Sequence, residues 1–72
     1  MDLKEILATN VRLMRQDRQM TQEDLADLTG ISSRYVGSIE RGRVSASVTI
    51  LGKLAEALGV SACSLITQPK KT

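Results

Sequence analysis

Residues 28–36 read LTGISSRYV. Helical patterning runs up to Gly30 and resumes at Ser32, with almost no room to turn. Gly30 ends the first of these helices, because glycine accepts the left-handed backbone angles that a helix C-terminus often needs. Ser32 starts the next as an N-cap, with Ile31 and Val36 at the hydrophobic staple positions around it. A glycine-centred turn of about three residues sets two helices at a steep angle of ~90–120° rather than folding them back antiparallel. The small Ala26 falls where the two axes come closest, and Ile31 anchors the turn in the core.

Outward from this turn, the signals continue. In the preceding helix Thr21 is the N-cap, with Asp24 at the third helical position and Met20 and Leu25 as a staple. Leu25, Ala26 and Leu28 supply its buried side. In the following helix Val36 and Ile39 face inward, Ser33, Arg34, Gly37 and Ser38 face outward, and Gly42 stops it. Residues 43–47, RVSAS, read as a short polar connection. A first helix spans about Asp2 to Arg18, with Leu3, Ile6, Leu7, Val11 and Met14 at three- and four-residue spacing. A fourth spans about Val48 to Leu58, with Leu51, Leu54, Ala55 and Leu58 as its stripe. Gly59 closes it, and Val60 packs back on its last turn. Ser61 caps a last short helix carrying Leu65 and Ile66. The expectation is an all-α fold of five short helices, one domain over residues 1–66 and a disordered tail over 67–72, with no internal repeat.

Composition agrees. The 72 residues include no Trp, no Phe and one tyrosine, Tyr35, so the core must come from aliphatic residues and Met. A chain this short makes one domain of modest stability. Net charge is +2, but its distribution is uneven. Between Ser33 and Lys53, four basic residues oppose Glu40 alone, a local +3; between Asp17 and Asp27, four acidic residues oppose Arg18, a local −3. A basic second half is a footprint to test for nucleic acid. Cys63 is the only cysteine, which excludes an internal disulfide and suits a reducing compartment; it reads as half-buried filler. No apolar run approaches the ~20 residues of a membrane span, and no secretory signal is evident. A cytoplasmic protein is expected.

Catalysis finds no footing. There is no histidine, no Gly-rich phosphate loop and no paired carboxylates in a cleft, so neither a catalytic site, a metal site nor a cofactor is expected. The outward face of the third helix is small and polar with one long forked donor. It suits the major groove, where Arg takes both acceptors of guanine and Ser bonds to several base edges.

The stretches TQEDLADLTGISSRYVGSIERG (residues 21–42) and TILGKLAEALGVS (residues 49–61) resemble the lambda-repressor-like helix-turn-helix domain of the phage Cro and repressor group. Bacterial XRE-type regulators and restriction–modification controller proteins share that domain. The resemblance covers about Ile6 to Ile66. It implies base reading by Ser33, Arg34, Gly37 and Ser38. It also implies phosphate binding by Gln22, at a helix N-terminus that favours anions, and by Arg41 and Arg43 after the recognition helix. Ser45, Ser47 and Thr49 could add phosphate contacts beside the next helix start. Tyr35 has two readings, packing on a neighbouring helix or reaching a phosphate through its hydroxyl. Arg15 and Glu40 match a pair that joins the first helix to the end of the third, a structural role, while Arg12 and Arg18 read as solvated or, at most, as distant phosphate partners. Gly37 departs from the family, which often has a longer reader there, as does Ala46, where many relatives have proline.

The function implied is a sequence-specific transcriptional regulator. It binds double-stranded DNA as a homodimer, with half-sites one helical turn (~34–36 Å) apart. Leu58, Val60, Leu65 and Ile66 are the expected dimer surface. Activation would make RNA polymerase a further partner, and no membrane or small-molecule effector is expected. The rival is an antitoxin or adaptor whose main partner is a protein; such proteins usually carry a longer extension than the polar residues that follow Ile66.

Overall fold

Each helix start is sealed by a side chain three residues ahead of the backbone group it serves. The carboxylate of Asp2 accepts from the Glu5 N–H at 2.9 Å, and the hydroxyls of Thr21, Ser32, Ser47 and Ser61 accept from Asp24, Tyr35, Ile50 and Ser64 at 2.9–3.3 Å. Thr21 and Asp24 form the full reciprocal box, since the Asp24 carboxylate also accepts from the Thr21 N–H at 2.9 Å. Such a cap stabilises a helix by about 1 kcal/mol. Gly30 and Gly59 close two of the helices at φ 75° and 71°, in the left-handed region where a side chain is strained.

The computed structural model describes residues 2–69. Among them are five helices: α1 (Leu3–Asp17), α2 (Gln22–Thr29), α3 (Ser33–Glu40), α4 (Val48–Leu58) and α5 (Ala62–Leu65). The all-α architecture read from the sequence is the observed one, and α1 stops one residue short of the expected span at each end, with Asp2 and Arg18 as its caps. α3 packs on α2 and α1, while α4 and α5 close the other side against α2 and α1. One aliphatic cluster joins them: Leu7 and Val11 from α1, Leu25 and Ala26 from α2, Val36 and Ile39 from α3, Leu54, Ala55 and Leu58 from α4, and Leu65 from α5. Burying each larger side chain contributes roughly 1.5–3 kcal/mol before the entropy of ordering it. None of the described helices is long and apolar enough to cross a membrane.

Several expected placements are corrected. Leu28 is 63% exposed and Leu3 62%. The inward arc of α2 runs through Leu25, Ala26 and Thr29 instead. Thr29 tolerates burial because its hydroxyl donates to the Leu25 carbonyl at 2.7 Å. Leu3, in the first turn of α1, lines the rim of a surface groove instead. The 43–47 connection is not simply polar: Val44 and Ala46 pack against the core, while Arg43, Ser45 and Ser47 point to solvent. Cys63 is exposed rather than half-buried. Leu58 and Leu65, expected on a dimer surface, are 2% and 0% exposed and lie inside the monomer's own core.

Asn10, a polar residue within the apolar stripe of α1, is also buried. Its Nδ2 donates to the carbonyls of Ser64, Leu65 and Thr67 at 3.2, 2.9 and 2.8 Å, satisfying the open end of α5. Thr67 also donates its hydroxyl to the Cys63 carbonyl at 2.6 Å. The first residue of the expected tail is therefore tied to the domain. Residues 70–72 of that tail lie outside the described residues.

Candidate nucleic-acid interface

α3 is aimed by a polar cluster behind its last turn. Glu40 is 5% exposed. The Arg15 guanidinium donates to it twice, Nε to Oε2 at 2.6 Å and Nη2 to Oε1 at 3.0 Å, and Gln22 Nε2 donates to Oε1 at 3.2 Å. The remaining Arg15 nitrogen, Nη1, donates to the Met20 carbonyl at 2.7 Å. Every buried side-chain nitrogen and oxygen among the described residues has a partner, which helps to offset the desolvation cost that a buried pair carries. Arg15 keeps its proton above arginine's ordinary range: the hydrogen bond to Glu40 is the largest cause, burial opposes it, and charge attraction adds to it. Arg12 is not simply solvated, because its Nη1 donates to the Glu40 carbonyl at 3.4 Å. Arg18 is exposed and donates to the Met14 carbonyl at 3.0 Å.

On the outer side of α3, Arg34 is exposed and Ser33 and Ser38 are half-exposed. Gly37 departs from its expected place. It is buried, because the side chains of Arg41 and Gln22 lie over it; a methyl added at Gly37 would meet Arg41 Nη1 at 3.1 Å and Gln22 Oε1 at 3.5 Å. Tyr35 is half-buried and packs against the core, and its backbone N–H donates to the Ser32 cap.

After α3 the chain turns through Gly42 at φ 69°. The Arg43 N–H donates to the Ser38 carbonyl at 3.0 Å, which folds the turn back on the helix end. Arg41 and Arg43 are exposed there, as are Ser45, Ser47 and Thr49. Arg34, Arg41 and Arg43 thus bring exposed positive charge to α3 and the turn after it, a potential that attracts polyanions. The Ser47 hydroxyl is engaged as the α4 cap, which leaves it less free than Ser45 or Thr49. Of the four residues expected at a dimer surface, Val60 is half-buried and Ile66 is 38% exposed. Ile66 shares the rim of a groove with Leu3, Leu7, Ala46 and Leu51. Among the described residues no group of three or more metal-ligating side chains converges.

Two structural residues escaped the sequence reading, Asn10 and Thr29. For Asn10 a signal existed: it stands three residues after Leu7 and four after Ile6, within the apolar stripe, where a polar side chain must be fully bonded. For Thr29 the signal is weaker, since threonine near a helix end is common on surfaces.

Two helices joined by a glycine turn, the second standing proud with its end pinned from behind, define a helix-turn-helix protein. The chain belongs to the helix-turn-helix family, which its residues 11–65 match. It is 43% identical over 68 residues to control protein C.SmaI of Serratia marcescens, covering 94% of this chain and 81% of that protein. The crystal structure of the hypothetical transcription factor NHTF from Neisseria superposes with a TM-score of 0.90 at 40% identity, covering 94% of this chain and 78% of that one. The restriction–modification controller protein C.AhdI from Aeromonas hydrophila superposes with a TM-score of 0.83 at 34% identity, over 86% of this chain and 94% of that one. The relatives' names thus include a control protein, a restriction–modification controller and, among others, HTH-type transcriptional regulators.

Proposed function

We propose that this chain is a sequence-specific transcriptional regulator that binds a two-fold symmetric operator as a homodimer, with α3 in the major groove. The observation that carries this reading is the exposed Arg34 on α3, with Arg41 and Arg43 on the turn that follows, on a helix whose end Arg15 and Glu40 hold in place. Arg34, Ser33 and Ser38 read base edges; Arg43, Ser45 and Thr49 meet the phosphate backbone. One recognition helix covers too few base pairs to single out a site in a genome, so a second copy is needed. Ile66 and Val60 offer the apolar contact between copies. The likeness to two named controller proteins favours control of a restriction–modification operon, exercised in the cytoplasm by covering a promoter or touching polymerase beside it.

The test is binding-site selection from random duplexes at moderate salt, with the mass of the complex recorded. A two-fold symmetric site bound by two chains supports the reading. Salt-sensitive but sequence-blind binding, or none, sinks it and favours a protein as the main partner.

A further inference from the structure

Gly37 stands midway along α3, where a residue with no side chain weakens a helix. Two side chains from elsewhere fill the space above it. Arg41, one turn further on, places Nη1 at 3.1 Å and Cζ at 3.7 Å from where a Gly37 methyl would be; Gln22 places Oε1 at 3.5 Å. Helical side chains lean toward the N-terminus over the preceding turn. The Arg41 guanidinium therefore lies back along α3, in the volume a side chain at 37 would take.

The orientation of Gln22 follows from Glu40. A carboxylate only accepts, so the Gln22 amide nitrogen faces it, at 3.2 Å from Oε1. The amide oxygen is left on the Gly37 side, 3.5 Å from where a Gly37 methyl would be. An oxygen there repels a phosphate and attracts a guanidinium.

We propose that Gly37 is a seat for Arg41, and that Arg41, laid across it beside Gln22, reads a base at the step of α3 where residue 37 has nothing to read with. The inference rests on the DNA-binding reading above and moves Arg41 from the phosphate role that the family resemblance implies to the specificity set. An arginine that only held a phosphate would extend from the turn and would need no glycine four residues before it. A guanidinium lying along the recognition helix instead presents a planar fork of donors, the shape that matches guanine O6 and N7 together. Arg34 and Ser38 flank it on the same outer side, so Arg41 joins Ser33, Arg34 and Ser38 among the side chains that meet the groove.

The test repeats selection from a random-sequence duplex pool with the unaltered chain, Arg41→Ala, Arg41→Lys and Gly37→Leu. Arg41→Ala and Gly37→Leu are expected to lose discrimination at the same base pair of each half-site, by about tenfold or more, with the other positions unchanged. Arg41→Lys, which keeps the charge without the fork, does not restore that position. Should Gly37→Leu fail to fold, Gly37→Ala replaces it and shifts the same base pair less, because the flexible guanidinium tip can yield to a methyl. The proposal is overturned if Arg41→Ala weakens all sequences alike and Arg41→Lys recovers the loss, the behaviour of a phosphate contact. An unchanged motif in the Gly37 variants overturns it too. If the unaltered chain itself selects no motif, the DNA-binding reading falls first and this inference with it.

Discussion

Arg15 and Glu40, 25 residues apart, are joined by two parallel hydrogen bonds, Nε to Oε2 at 2.6 Å and Nη2 to Oε1 at 3.0 Å. Gln22 of α2 donates to the same carboxylate and Arg12 of α1 to the Glu40 carbonyl. One residue at the end of α3 is thus held by α1 and α2 together, and the direction of that helix depends on it.

Breaking this cluster from one side should cost far more than removing it whole. Glu40→Ala leaves the Arg15 guanidinium, 13% exposed, without its partner, and is expected to destabilise the domain by about 3–5 kcal/mol. The double variant Arg15→Met, Glu40→Leu should lose much less. Urea unfolding decides it: a loss under about 1 kcal/mol for Glu40→Ala removes the pair from its structural role. Because the folded form holds the Arg15 proton more tightly than the unfolded chain does, this contribution is fully present below arginine's ordinary range. It fades only as strongly alkaline pH passes through the raised folded value.

Asn10→Asp keeps the shape of the side chain but turns an acceptor toward the Ser64, Leu65 and Thr67 carbonyls. A loss of roughly 1–3 kcal/mol follows from the unmet polar groups, with faster hydrogen exchange at the amides of α5. Unaltered exchange across residues 62–67 would mean that those carbonyls have other partners.

Arg34→Ala separates reading from mere attraction. It should weaken binding to the selected operator by ~1–3 kcal/mol and leave random DNA nearly untouched. Equal loss on both duplexes refutes a base-reading role.

Arg43→Ala should behave in the opposite way. Both duplexes weaken alike, and the slope of log affinity against log salt falls by about one unit, as one phosphate contact disappears. A slope that stays put places Arg43 outside the interface.

Ile66→Glu tests the surface between copies. With Leu58 and Leu65 committed to the core, a charge at Ile66 should shift the chain toward monomer in sedimentation at micromolar concentration without unfolding it. Dimer strength that survives this change moves the interface elsewhere.

The helix starts and stops were legible in the chain because they are local. Each N-cap acts on a backbone group three residues away, as Ser32 does on Tyr35. Gly30 and Gly59 answer a backbone angle at their own position. The five helices, their turns and the exposed Arg34 follow from such short-range rules, read with the helical period.

Only the packed structure decided burial at the edges of each apolar arc, since its centre, such as Val36 and Ile39 on α3 or Leu54 and Leu58 on α4, was already read inward. Leu28 and Thr29 are neighbours on α2, and hydropathy favours Leu28 for the core; the position of α4 and α3 against α2 reversed that choice, and a hydroxyl bonded within its own helix made it tolerable. The same holds for Asn10, whose partners lie more than 50 residues away, and for Gly37, covered by side chains from the turn after α3 and the start of α2. Periodicity tells a helix that it has an apolar side, but burial at its edges is a sum over neighbours that the helix does not contain. The chain itself determined its helices and caps; the crossing of those helices determined which side chains meet over α3, and therefore which of them can face DNA.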